Sequence, residues 1–130
     1  MNKRSSQYLT IAGILGALGV ALGAFGAHAL KDHLINNGRL DTYETAVLYH
    51  IIHTLALMGT ALLLHFRDNA WISRAGIFFT IGIIIFSGSL YMLCFTGVTW
   101  LGAITPIGGV FFILGWLSLT FSAATKKVNS

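Results

Sequence analysis

Two histidines, His50 and His53, stand three residues apart in a stretch that carries no Asp, Glu, Lys or Arg between Glu44 and Arg67. Side chains three apart are neighbours on a helix surface, so both imidazoles are expected on one face. Histidine changes its charge closest to neutral pH and is a common metal ligand. The pair could therefore take up a proton, hydrogen-bond a polar ligand or bind a metal.

Other ionisable side chains precede this pair, and Glu44 marks the near end of the stretch. If the stretch is helical, His50 lies roughly 9 Å and His53 about 14 Å from Glu44 along the axis. We expect the ends of two helices to meet at one junction, on the side of the bundle that is predicted to face the outside of the cell, and to bring these groups together there. The residues predicted to bind a proton or a small polar ligand there are His28, Asp32, His50 and His53.

Two alternatives remain open for these histidines. Neutral His50 and His53 could simply hydrogen-bond across helices to Ser, Thr or backbone groups. A third imidazole and a carboxylate beside the pair could instead bind zinc or iron, including haem iron. Because only two of those ligands have a fixed spacing, no metal ligand and no cofactor is predicted.

The composition identifies the surroundings in which these residues act. Of the 130 residues, 55% are hydrophobic and 9% are charged, whereas a soluble domain carries about 25% charge. Disordered chains are poor in apolar residues, and Cys94 has no second cysteine with which to form an intrachain disulfide. The chain is therefore predicted to be an integral membrane protein in a lipid bilayer.

Three stretches without Asp, Glu, Lys or Arg define the spans, and they hold 26, 22 and 51 residues. One span needs roughly 20 apolar residues, so the longest stretch must turn back. Thr96-Gly97 and Thr105-Pro106 mark that turn. The prediction is an all-α four-helix transmembrane bundle, a single domain over 1–130 with spans near 8–30, 44–66, 75–95 and 106–124.

Two local signals predict helix starts. Asp41 and Glu44 fit a capping box, with Asp41 as the N-cap of the second span. Thr105 suits the N-cap of the fourth span, with Pro106 at its first helical position.

Basic residues predict the orientation, since those in short loops stay on the cytoplasmic side. With four spans, the side that holds both termini has six Lys and Arg, and the opposite side has two. Both termini are therefore expected in the cytoplasm. The six are Lys3, Arg4, Arg67, Arg74, Lys126 and Lys127; the two are Lys31 and Arg39. No single basic face results, so no nucleic-acid partner is expected.

The first span also allows a second interpretation as a signal peptide, cleaved at Ala27-His28-Ala29. Its apolar region is about twice as long as the usual 7–15 residues of a signal peptide, which argues against cleavage. The favoured interpretation is a spanning helix.

Small residues in two spans predict close helix packing, because they let backbones approach in lipid. This interpretation favours a seam inside the monomer, with contact to a second copy or another membrane protein as the alternative. The predicted packing residues are Gly16, Gly19, Gly23, Gly26, Ser87, Gly88 and Ser89. Trp116 lies near mid-membrane, so its indole N–H is expected to have a buried partner.

No nucleophile–base signature, phosphate loop or zinc-protease motif is present in the sequence, and no enzymatic activity is expected. The leading hypothesis is a non-enzymatic membrane protein with a minor transport or accessory role. The alternatives are an assembly partner that uses the glycine seam and a metal- or haem-binding redox subunit.

Four motifs in order resemble the YgdD/YwdK-type family of small membrane proteins, which also has eukaryotic relatives. The motifs are Leu22–Leu30 (LGAFGAHAL), Tyr43–His53 (YETAV, then YH and His53), Phe86–Tyr91 (FSGSLY) and Ile104–Gly109 (ITPIGG) leading to Gly115-Trp116. The resemblance covers nearly the whole chain. It implies a multi-pass protein of the bacterial plasma membrane, and it brings no agreed activity and no assigned site.

Overall fold

The computed structural model describes residues 1–125 and consists of helices joined by short connections. Four of the helices are long and apolar enough to cross a membrane, which confirms the predicted four-span architecture. The fifth is a short helix between the first two spans. The helices are α1 (Lys3–Ala27), α2 (Lys31–Asn36), α3 (Leu40–Phe66), α4 (Ala70–Thr96) and α5 (Leu101–Ala124).

The spanning helices pack in the order α1, α3, α4, α5. The central pair, α3 and α4, buries more of its surface than α1 and α5 do. Phe79 of α4 and Leu57 of α3 are completely buried in the main apolar core, and Tyr8 of α1 joins it from the side of the predicted cytoplasmic end. Each outer helix therefore depends mainly on one central neighbour.

Both predicted N-caps are wrong. Helix α3 begins at Leu40 after Arg39, so Asp41 lies in the first helical turn instead of capping it. Helix α5 begins at Leu101, and Pro106 lies inside the helix. Short turn bonds, such as that from the Ala103 N–H to the Trp100 carbonyl at 2.9 Å, start this helix before the proline is reached.

The four predicted packing glycines of α1 face α3. A Cβ added at Gly26 would lie 2.7 Å from Cδ1 of Tyr43, and one at Gly19 would lie 3.3 Å from Cγ1 of Ile51. Real Cβ atoms are rarely so close to a neighbour. Gly23 lies against Val47 in the same way, whereas a Cβ at Gly16 would make an ordinary contact with Thr54. The seam is thus filled by the chain's own third helix.

The second set of small residues divides between two neighbours. The Ser87 hydroxyl donates to the Ala46 carbonyl at 2.7 Å, and the Ser89 and Thr105 hydroxyl oxygens are 2.7 Å apart. An added Cβ at Gly88 would meet no atom within 4 Å. The two serines therefore join α4 to α3 and α5, while Gly88 faces open space.

Most of the lysines and arginines used for the orientation prediction, from Lys3 to Arg74, lie within the described residues. Lys126 and Lys127, which that prediction also counts, lie outside the described residues.

Candidate functional site at the groove between α3 and α5

His50 is buried in α3, and both of its ring nitrogens have partners. Nε2 lies 2.8 Å from the Leu15 carbonyl oxygen, which can only accept, so Nε2 carries the proton. In a neutral imidazole Nδ1 is then the acceptor, and it lies 2.8 Å from the hydroxyl of Tyr91, which donates. His50 therefore joins α3 to α1 and α4.

His53 has the opposite tautomer. Its Nδ1 lies 2.8 Å from the Tyr49 carbonyl oxygen and must donate to it. Its Nε2 accepts a hydrogen bond from the indole Nε1–H of Trp116 at 3.1 Å. The expected buried partner of Trp116 is thus confirmed. It is His53 of α3, whereas Trp116 itself lies in α5.

Aromatic rings fix the orientation of His53. Its ring is stacked on Phe112 with a centroid separation of 3.6 Å and an interplanar angle of 10°. Phe79 of α4 approaches at 5.9 Å and Trp116 at 5.8 Å between ring centroids. His53 is therefore enclosed by uncharged rings from two helices, and its Nε2 points towards Trp116.

His53 and Trp116 line a groove of about 590 Å³ between α3 and α5. Tyr49 and Trp116 are 39% and 46% exposed, and the apolar residues of the rim, such as Ile113, are also exposed. The opening therefore faces lipid. None of the lining residues carries a formal charge: they are Leu48, Tyr49, Ile52, His53, Phe86, Pro106, Gly109, Val110, Phe112, Ile113 and Trp116.

The other two predicted ligand residues lie elsewhere. His28 follows the end of α1, Asp32 lies in α2, and both side chains are exposed. His50 lies beside Gly19 of α1, nine positions or roughly 13 Å along the axis from His28. The structure thus brings neither His28 nor Asp32 to the two buried histidines. Within residues 1–125, no three His, Cys, Asp or Glu side chains are placed to share a metal ion.

Sequence reasoning missed Tyr91 and Phe112 as the partners of the histidines. Tyr91 follows Ser87 by one helical turn, so the two lie on one face of α4. That spacing could have indicated a shared polar face towards α3. Phe112 gave no comparable signal, because it is one of nine phenylalanines in an apolar chain.

Comparisons with known proteins identify the family. Residues 22–109 match the model of the family described as "Protein of unknown function (DUF423)". The UPF0382 membrane protein of Haemophilus influenzae is 39% identical over 122 residues, covering 94% of this chain and 97% of the relative. The chain belongs to this family.

Two further relatives extend the likeness. The UPF0382 membrane protein YwdK of Bacillus subtilis is 40% identical over 117 residues, covering 89% of this chain and 94% of the relative. The UPF0382 inner membrane protein YgdD of Escherichia coli is 36% identical over 124 residues, covering 95% and 94%. No solved structure matches the chain.

Membership of the DUF423 family and the four long apolar helices make this chain a multi-pass protein of the cell membrane. The range matched by the family model contains His50, His53 and Tyr91, while Trp116 lies beyond it. The family description assigns no activity to these residues.

Proposed function

We propose that this chain is a non-enzymatic membrane protein that binds one small ligand at His53, in the groove between α3 and α5. The observation that carries the proposal is the hydrogen bond from Trp116 to Nε2 of His53, beside an opening to lipid. The ligand has an apolar body and a hydrogen-bond donor, such as a hydroxyl group. It serves a transport or accessory role within the membrane.

The hydrogen bonds of His53 define what the ligand must offer. Because Nδ1 donates to the Tyr49 carbonyl, Nε2 has a lone pair and can only accept. Trp116 supplies the donor to this nitrogen, and its indole is partly exposed. A ligand that replaces Trp116 therefore has to bring an O–H or N–H group, while its apolar body lies along the groove.

Electrostatics favours a neutral ligand over a proton. The side chains that face His53 from α4 and α5 are Phe79, Phe112 and Trp116, and on its own helix Tyr49 and His50 are the nearest titratable groups. None of these is an anion that could pair with an imidazolium. An unpaired cation inside hydrocarbon costs several kcal/mol, so a proton is the second candidate.

His50 is assigned a different role. Its two nitrogens bond to α1 and α4, and its side chain is only 3% exposed. His50 is not among the residues that line the groove. His50 therefore holds three helices together and serves as the matched control for His53.

The test uses Trp116 as the reporter. In a protein with Trp71→Phe and Trp100→Phe, all tryptophan emission comes from Trp116. Titration with decanol is expected to shift this emission, because the alcohol displaces the indole from His53. Decane, which has the same apolar body and no donor, is expected to leave the emission unchanged.

Variants and acidification complete the experiment. His53→Phe should abolish the response to decanol, and His50→Gln should retain it. Equal responses to decanol and decane, or a persistent response in His53→Phe, would overturn the ligand proposal. If acidification alone shifts the emission and this shift needs His53, the proton is the ligand instead.

A further inference from the structure

A second opening lies at the end of the bundle that is predicted to face the cytoplasm. It is a pocket of about 410 Å³ between the start of α1 and the connection from α3 to α4. We refer to it as the basic pocket. It is lined by Asn2, Lys3, Arg4, Leu64, Asp68, Asn69, Ala70 and Ser73.

Arg4 forms one wall of the basic pocket. Its guanidinium donates to the Ser73 hydroxyl across the gap from α1 to α4, so its partner is a neutral group. A guanidinium has five N–H donors in a planar fork, and the bond to Ser73 uses one of them. The remaining donors and the full positive charge are available to an anion, and Arg matches the geometry of phosphate well.

The rest of the pocket is held in place by its own hydrogen bonds. The Asn2 amide donates to the Leu64 carbonyl at 3.1 Å, which ties the start of α1 to the end of α3. The Asn69 side chain accepts from the Trp71 N–H at 2.8 Å and caps α4. These bonds fix the positions of two side chains that line the basic pocket.

The charges that face the basic pocket sum to a positive value. Lys3 and Arg4 contribute two positive charges, and Asp68 contributes one negative charge. The neighbouring arginines point elsewhere: Arg67 donates to the Thr125 carbonyl at 2.9 Å, and the guanidinium carbon of Arg74 lies 4.6 Å from the Trp71 ring centroid. The pocket thus favours a single anion of moderate size.

Its position selects the source of that anion. The pocket lies where the apolar parts of α1, α3 and α4 end, which is the level of the lipid headgroups. Basic pockets between spanning helices on the cytoplasmic side bind anionic headgroups. A water molecule occupies about 30 Å³ of liquid. The basic pocket, at about 410 Å³, would hold many water molecules, so a phosphate group with its four oxygens also fits.

We propose that the basic pocket binds a phosphate group, carried by an anionic phospholipid, through Arg4 and Lys3. The site is separate from the groove at His53 and does not rest on the function proposed above. The phosphate accepts from the free donors of Arg4, and the acyl chains lie along the apolar surface outside the bundle.

Native mass spectrometry of the full chain in mild detergent tests this assignment. Phosphatidylglycerol is the anionic probe, and phosphatidylcholine is the zwitterionic control. The wild-type chain should retain phosphatidylglycerol in preference to phosphatidylcholine. Arg4→Gln should weaken that retention about tenfold or more, the usual effect of losing one hydrogen bond to a charged group.

Three variants separate binding from folding. Arg74→Gln removes one charge outside the pocket and should bind like wild type, whereas Arg4→Lys keeps the charge and should restore part of the retention. Ser73→Ala releases Arg4 without removing its charge and should lose less than Arg4→Gln. The melting temperature of each variant is measured in the same detergent, so that unfolded protein is not counted as weak binding.

The opposing outcomes are distinct. Equal retention of phosphatidylglycerol by Arg4→Gln and Arg74→Gln would overturn the site. Equal retention of the two lipids by wild type would overturn the charge argument. Displacement of phosphatidylglycerol by millimolar inorganic phosphate would identify free phosphate as the ligand and overturn the lipid assignment.

Discussion

Gly108 is a position where the backbone of α4 leaves no room for a side chain on α5. A Cβ added there would lie 2.7 Å from Cα of Phe86, which is a backbone atom of α4. Gly109, its neighbour in sequence, is the matched control, because a Cβ there would lie 3.9 Å from the Phe86 ring. Gly108→Ala and Gly109→Ala therefore make the same chemical change in two different surroundings.

The magnitude follows from these distances. Carbon atoms are most stable about 3.5–4.0 Å apart, so Gly108→Ala forces the two backbones to separate by about 1 Å. A gap of that size forfeits roughly a quarter to a half of each dispersion contact. Adding a methyl group to a packed core costs about 1–3 kcal/mol, whereas Ala is favoured over Gly in a helix by about 0.5–1 kcal/mol. The net fall in the free energy of unfolding is therefore expected to be about 0.5–2 kcal/mol for Gly108→Ala, whereas it should stay unchanged or rise slightly for Gly109→Ala.

The assay is equilibrium unfolding in mixed micelles, followed by helical circular dichroism as the fraction of denaturing detergent rises. Gly108→Ala should unfold at a clearly lower fraction than wild type and Gly109→Ala. If both variants unfold at the same fraction, the close approach of α4 and α5 at Phe86 is not a determinant of stability, and the packing described here is wrong.

Two further substitutions test the contacts of α3 with its neighbours. Gly26→Ala should lower stability by about 0.5–2 kcal/mol by the same difference, because the new methyl group displaces the Tyr43 ring from α1; a melting temperature equal to that of wild type would contradict this packing. Tyr91→Phe should cost about 0.6 kcal/mol, the average for interhelical hydrogen bonds in membranes, and at most about 1.7 kcal/mol, because it removes the donor to Nδ1 of His50. The cost should vanish when Tyr91→Phe is made in a His50→Leu background, and a cost that persists there would refute the pairing.

The number of spans followed from the sequence because the bilayer imposes a length. Each charge-free stretch had to hold one or two helices of roughly 20 residues, and the four long helices agree with this count. Their ends were less predictable. Asp41 and Thr105 carry good capping side chains, yet each helix begins earlier, with backbone hydrogen bonds that already use the carbonyls of Arg39 and Trp100.

The candidate site was only half predictable. His50 and His53 were identified from the sequence because ionisable groups inside a membrane are rare. Their surroundings depend on how α3 is rotated, and residues three apart point about 60° away from each other on a helix. That rotation directs His50 to α1 and α4 and His53 to α5, so no common cluster with His28 forms.

The pairing of His53 with Trp116 could not be derived from spacing. The two residues are 63 positions apart. Their contact requires α3 and α5 to face each other across the groove, which Phe86 of α4 also lines. The sequence indicated only that a mid-membrane indole needs a partner. Several polar groups in the chain could have met that need.

Solid-state nitrogen NMR of histidine-labelled protein in lipid bilayers at neutral pH tests the central claim most directly. The structure predicts neutral imidazoles of opposite tautomer, with the proton of His50 on Nε2 and that of His53 on Nδ1. Trp116→Phe should shift the Nε2 resonance of His53 and leave those of His50 in place. Identical tautomers for the two residues, or an unchanged His53 resonance in Trp116→Phe, would contradict the account.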